Sequence, residues 1–263
     1  MDPNLWKQTA DLLARARTLP VQAVGRTRAI SNVRLEPGRE TTRIFQFGRN
    51  VPVVVLRRQS AAAPDAKRSE EASDTATDSK QGNENKENNE DWLLVLRTDA
   101  QPVRQTGASA DSSAAGKVDS EPPIPIAGWV LARFIELEPP SPIGDYASSM
   151  PGRVVAWAAL NTVPDPGGDK TQYVVVGTRG PEGQPCDFSW LRVYTWGAEQ
   201  KRYETSYIEN QLCGNMPIRV RQTPSGAEFQ FTDQTDNQRT YRLMHTVVRK
   251  VNPNAAAAAH GKK

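Results

Sequence analysis

Two cysteines, Cys186 and Cys213, are the residues in this sequence whose spacing most directly invites chemistry. They bracket "FSWLRVYTWGAEQKRYETSYI", two strand-like runs joined by a short turn. Trp196 placed opposite Tyr203 is a favourable aromatic cross-strand pair. Carrying that one-for-one register outward brings Cys186 opposite Cys213, within bridging reach. A disulfide closing this loop stabilises by about 3.5 kcal/mol through chain entropy. It also points to an oxidising compartment. Asn210 and Gly214 are places where the register can slip, and two buried free thiols are the alternative reading.

Other reactive constellations are poorly supplied. The chain has two histidines, His245 in the last strand region and His260 in the tail. His245 has no motif around it for nucleophilic catalysis and reads as a sheet residue. Two cysteines and one distant histidine do not match zinc-ligand spacing. "PDPGGDK" lacks the phosphate-loop spacing. Asp165 and Asp169 read as a polar turn rather than a calcium loop, and "DQTDNQ" (233–238) as a hairpin turn. The carboxylates form no recognisable acid/base pair. The expectation is a non-catalytic protein with no metal and no cofactor.

The elements that must position these residues are mostly strands. At the start, "DPNLWKQTADLLARARTL" offers Asp2 as N-cap and Pro3 as first helical residue. Leu5, Trp6, Thr9, Leu12, Leu13 and Ala16 then fall on one face at helical spacing. This predicts one amphipathic helix within 1–20, docked on the domain that follows. From about residue 22 the pattern turns to period two. "RAISNVRLEPG" predicts a strand ending in a Pro-Gly turn. "TRIFQFGRN", "VPVVVLRR", "DWLLVLR" and "AGWVLARFIEL" predict further strands. Two polar stretches interrupt them. Residues 60–90 contain no Val, Ile, Leu, Met or aromatic residue. They and residues 98–123 cannot bury enough to offset ordering entropy, so disorder is expected.

A second β-rich region spans 143–252. "RVVAWAAL" and "QYVVVGT", "FSWLRVYTW" and "RYETSYI", and "PIRVRQT" and "AEFQFTD" read as hairpins, with "QRTYRLMHTVVRKV" closing the region. The prediction is a compact antiparallel sandwich or barrel, followed by a frayed tail at 253–263. The fold class is therefore mainly all-β: a helix, a small barrel over 22–138, and an antiparallel domain.

The order of the first region's motifs carries a resemblance. Asn32, Val33, Arg34, Pro37, Gly38, Gly48, Val53, Val55, Trp92, Gly128, Trp129 and Val130 stand where a bacterial SH3 domain has its asparagine-valine-arginine, proline-glycine, valine-rich, tryptophan-led and glycine-tryptophan-valine elements. The stretch from 25 to 137 thus resembles that family, interrupted by two long insertions on either side of "DWLLVLR". The motif residues Asn32, Val33, Arg34, Pro37, Gly38, Trp92, Gly128 and Trp129 have mainly structural roles: Asn32 satisfying a turn, Gly128 admitting neighbouring backbone, both tryptophans packing in the core. The resemblance implies an SH3-like barrel and a non-catalytic module of the cell envelope that engages a peptide, a partner protein or a cell-wall polymer.

Charge supplies the rival. Residues 1–58 hold eleven Lys/Arg against four Asp/Glu, whereas residues 60–90 hold four against eight. Arg26, Arg28, Arg34, Arg39, Arg43, Arg49, Arg57 and Arg58 aligned on one surface would suit nucleic acid, although no aromatic stacking motif accompanies them. A solvated Arg-rich face is the plainer reading. No run is long and apolar enough for a membrane span. The start "MDPNLWKQ", without a basic n-region or apolar h-region, reads at face value as cytoplasmic. An extracytoplasmic location is favoured if a leader has been removed.

Overall fold

In the computed structural model, residues 2–63, 89–97, 125–147 and 152–251 are described. The expectations for 64–88, 98–123 and 253–263 lie outside the described residues. The chain is mainly β: two antiparallel sheets of seven strands with a short helix at the start.

The helix α1 spans Pro3–Ala16, with Asp2 accepting from the Asn4 N–H at its start. The first sheet contains β1 (Ala23–Thr27), β2 (Ser31–Arg34), β3 (Arg43–Phe47), β4 (Pro52–Ala62), β5 (Asn89–Arg97), β6 (Ile126–Leu131) and β7 (Ile135–Leu137). Their order is β3-β2-β6-β5-β4-β1-β7. Within "RAISNVRLEPG" only Ser31–Arg34 is strand; residues 23–27 form a separate strand that pairs with β4 and β7. The stretch 60–90 also needs correction at both ends. Ser60–Ala62 and Asn89–Asp91 are paired strand, with Ser60 opposite Asp91. These small and polar residues extend a ladder nucleated by the valines and leucines inward of them.

The runs "VPVVVLRR", "DWLLVLR" and "AGWVL" lie side by side, with Val55 opposite Val95 and Val95 opposite Gly128. β5 is buried along almost its whole length because both faces are covered. Trp92, Leu94 and Leu96 pack with Leu12 and Ala16 of α1. Leu93 and Val95 face the other way, into a core shared with the second sheet.

That second sheet follows a short helix α2 (Ser141–Ala147). It is a meander of β8 (Arg153–Val163), β9 (Lys170–Thr178), β10 (Phe188–Gly197), β11 (Arg202–Thr223), β12 (Gly226–Asp233), β13 (Gln238–Met244) and β14 (Val247–Val251), paired in sequence order. It curls, so that Gln222 on β11 donates to the Leu160 carbonyl on β8. β11 is one strand of 22 residues where the sequence suggested two. Its register is irregular between Asn215 and Arg219, where the Met216–Pro217 bond is cis. "QRTYRLMHTVVRKV" is a hairpin, and His245 lies in its turn at φ +57° rather than within a strand. Histidine tolerates that left-handed backbone better than branched residues do.

Alternation on β9 organises the centre of the molecule. Val174 and Val176 enter the interior of the curled sheet with Phe188, Leu191 and Phe229. Val175 instead joins Trp157, Trp190 and Tyr194 against Val33, Phe47, Val53, Val55 and Val95 of the first sheet.

Candidate binding pocket and the junction behind it

The sequence motifs converge around β2, β5 and β6. Val33 is fully buried. Arg34 stands opposite Trp129. A Cβ on Gly128 would lie 2.3 Å from a Val33 methyl and 2.9 Å from the Arg34 carbonyl oxygen, so only glycine lets β2 approach β6 this closely. Gly38, after Pro37 in the β2–β3 turn, has φ +127°, where a side chain is strained. Asn32 is exposed and accepts from the Gln46 amide across β2–β3. Trp92 and Trp129 are 1% and 8% exposed and pack in the core beneath α1.

Three of these motif residues, Asn32, Arg34 and Trp92, also line a cavity of about 270 Å³ together with Ile30, Arg39, Leu131, Arg133 and Phe134. Its charge is unbalanced. Arg39 makes a two-pronged pair with Glu90, at 2.7 and 2.5 Å, and Arg133 reaches the same carboxylate at 2.8 Å. Hydrogen bonds from Arg39, opposed by burial and joined by those from Arg133, hold the Glu90 carboxyl below its ordinary range. The Arg39 guanidinium is raised in turn, chiefly by that bond. Arg34 donates to the Thr41 carbonyl. Three guanidinium groups therefore line the cavity, and Glu90 pairs with two of them. Arg133 also stacks over the Phe134 ring, 5.4 Å from its centre. The indole N–H of Trp92 is buried and finds no acceptor among the described residues. Such a pocket is suited to a small anionic group with an apolar neighbour.

Behind the pocket, Arg58 ties the two sheets together. Its side chain is 5% exposed, and it donates to Asp91 at 2.5 Å and Asp187 at 2.8 Å. It also donates to the carbonyls of Gln184 (2.8 Å) and Cys186 (3.2 Å). Asp91 further accepts from the Gly183 N–H and from Arg153, and Asp187 from the Met216 N–H. Burial pushes the Asp187 carboxyl up, offset in part by the Met216 and Arg58 bonds. Burial also works against the charge on Arg58, but its two aspartate partners outweigh it and raise the guanidinium. A charge removed from water persists only when fully paired in this way.

The disulfide is formed: Cys186 and Cys213 are bonded, with Cα atoms 5.0 Å apart. Trp196 does face Tyr203, with ring centres 5.2 Å apart. The register nevertheless slips between Val193 and Tyr194, and again between Phe188 and Trp190, so that Phe188 pairs with Gly214 and a one-for-one continuation would set Met216 rather than Cys213 opposite Cys186. The sulfurs still meet because the Asp187 N–H bonds the Gly214 carbonyl and keeps the chains together beyond the last paired residues.

The eight arginines of the front end do not share one surface. Arg58 is inside the junction, Arg26 pairs with Glu138, Arg28 approaches Glu136, and Arg39 pairs with Glu90. Asp165 accepts from the Trp196 indole and the Gly167 N–H, and Asp233 from Thr235 and Asn237, so both loops are self-satisfied turns. Glu90, Arg133 and Phe134 had no signal in the sequence as site residues. Glu90 lay within a stretch that read as wholly polar. Its only hint was adjacency to the apolar run that begins at Trp92.

Compared with protein-family models, curated proteins and solved structures, the chain matches none.

Proposed function

We propose that this chain is a non-catalytic binding protein of the cell envelope, whose first sheet is a bacterial-SH3-type barrel and whose ligand is a carboxylate-bearing peptide or cell-wall polymer. The observation carrying this reading is the convergence of Arg34, Arg39 and Arg133 on one cavity, where Glu90 is their one acidic partner among the described residues, beside Phe134 and the Trp92 N–H, which finds no acceptor among those residues. Guanidinium forks recognise carboxylates with both charge and geometry, and an aromatic neighbour accepts the apolar part of the ligand. Three residues of the family-like motif line the same cavity, which connects the pocket with the module the first region resembles. The disulfide supports an oxidising compartment.

The test is calorimetric titration of the whole protein with soluble peptidoglycan stem peptides carrying free or amidated carboxylates. Saturable binding of the free acids is expected, weakened roughly tenfold or more by amidation or by Arg34→Gln, the scale of one charge-assisted bond. Circular dichroism checks that the variant folds. Equal affinity for both peptide forms, or none for either, rejects the reading. Salt-sensitive retention of short oligonucleotides in their place supports a nucleic-acid partner instead.

A further inference from the structure

A separate cavity, of about 520 Å³, opens between α1 and the sheet surface of β3, β5 and β6. Leu5, Trp6 and Leu13 line it from the helix, and Phe45 and Ile126 from the sheet. Trp6 is 66% exposed and Phe45 40%, two of the six large hydrophobic side chains that the described residues leave exposed. The rest of α1 behaves as an amphipathic helix should, with Leu12 and Ala16 buried against the sheet. The first turns instead hold their apolar side chains away from the core and around this groove. The charged side chain on its wall is Arg97, the last residue of β5, which has no acidic partner among the described residues. The volume is that of a small-molecule site rather than a packing defect.

An apolar trough with one guanidinium that has no acidic partner among the described residues has a definite complement: a long apolar body with one negative charge at its end. Sugars and peptides would leave their polar groups unpaired against these walls. Cationic amphiphiles would meet Arg97 with like charge. We propose that this groove binds a free medium-chain fatty acid, its tail between Trp6 and Phe45 and its carboxylate on Arg97. The site is distinct from the arginine-lined pocket, and either can exist without the other.

The experiment is calorimetric titration of the whole protein with octanoate, decanoate and dodecanoate below their micelle concentrations. One saturable site is expected, tightening about fourfold per added methylene as each carbon leaves water. Dodecanol should bind at least roughly tenfold more weakly than dodecanoate, the scale of a lost bond to a charged group. Arg97→Gln should remove that difference while leaving dodecanol binding unchanged. Tryptophan emission should shift on binding in the wild type and not in Trp6→Phe. No saturable heat, equal affinity for dodecyltrimethylammonium, or an affinity that ignores chain length overturns the proposal. Uptake of acyl chains only from phospholipid vesicles also overturns it and identifies a membrane surface as the occupant. Loss of the arginine-pocket ligand in Arg34→Gln without change in dodecanoate binding separates the two sites.

Discussion

Glu90 shows how one side chain sets the character of a pocket. It takes up donors from both Arg39 and Arg133, leaving the cavity cationic without leaving those guanidinium groups unsupported. Because its folded pKa lies below the unfolded one, its stabilising effect is complete above the ordinary glutamate range and is lost as pH falls through the folded value. Urea unfolding of wild type and Glu90→Gln should therefore differ most near pH 7, and the gap should close below about pH 4. A gap that stays constant to pH 3 would contradict this account of the cluster. The carboxylate was invisible in the sequence for a physical reason. Its neighbours on the N-terminal side are polar, and only cross-strand pairing with β4 reveals that residues 89–91 are ladder.

At the scale of elements, periodicity and turn chemistry made most strands legible. Pro37-Gly38, Gly167-Gly168 and Pro224-Ser225 all fall between paired strands, as their backbone preferences require. The strands that hid did so through irregularity. β11 carries a shifted register and reads as two pieces, while the β13–β14 turn uses His245 and Thr246, which are not strong turn formers. The contact between β2 and β6 was foreshadowed by Gly128 and can be tested there. Gly128→Ala drives a methyl into Val33 and the Arg34 carbonyl, and should cost about 1–3 kcal/mol in denaturant unfolding. A neutral effect would mean that β2 can withdraw from β6 freely. Withdrawal would also move Arg34, so the same variant should weaken ligands of the arginine-lined pocket.

For the molecule as a whole, the decisive contacts are those between sheets, and these were the least legible. Nothing in the numbering links Gln22 to Ile218, yet the Gln22 side-chain amide donates to the Ile218 carbonyl at 3.1 Å and accepts from its N–H at 2.6 Å. The Gln22 carbonyl also receives the Trp157 N–H. The Arg58 cluster does the same at the other side of the shared core. Arg58→Met should cost about 3–5 kcal/mol, because it leaves the buried Asp187 without its cation and Asp91 with only the half-exposed Arg153. Since both sheets contribute to one core, far-UV dichroism and tryptophan fluorescence should report coincident unfolding, shifted together in the variant. A variant in which the two probes separate would show that each sheet stands without the other.

The Arg58 cluster also imposes an order on synthesis. A ribosome has delivered all seven strands of the first sheet once Leu137 emerges, but the second carboxylate and both carbonyls that Arg58 needs belong to residues 184–187. Until those residues leave the exit tunnel, the nascent half can offer Arg58 only Asp91 of its two carboxylate partners. Its final settling must wait for a segment made some fifty residues later.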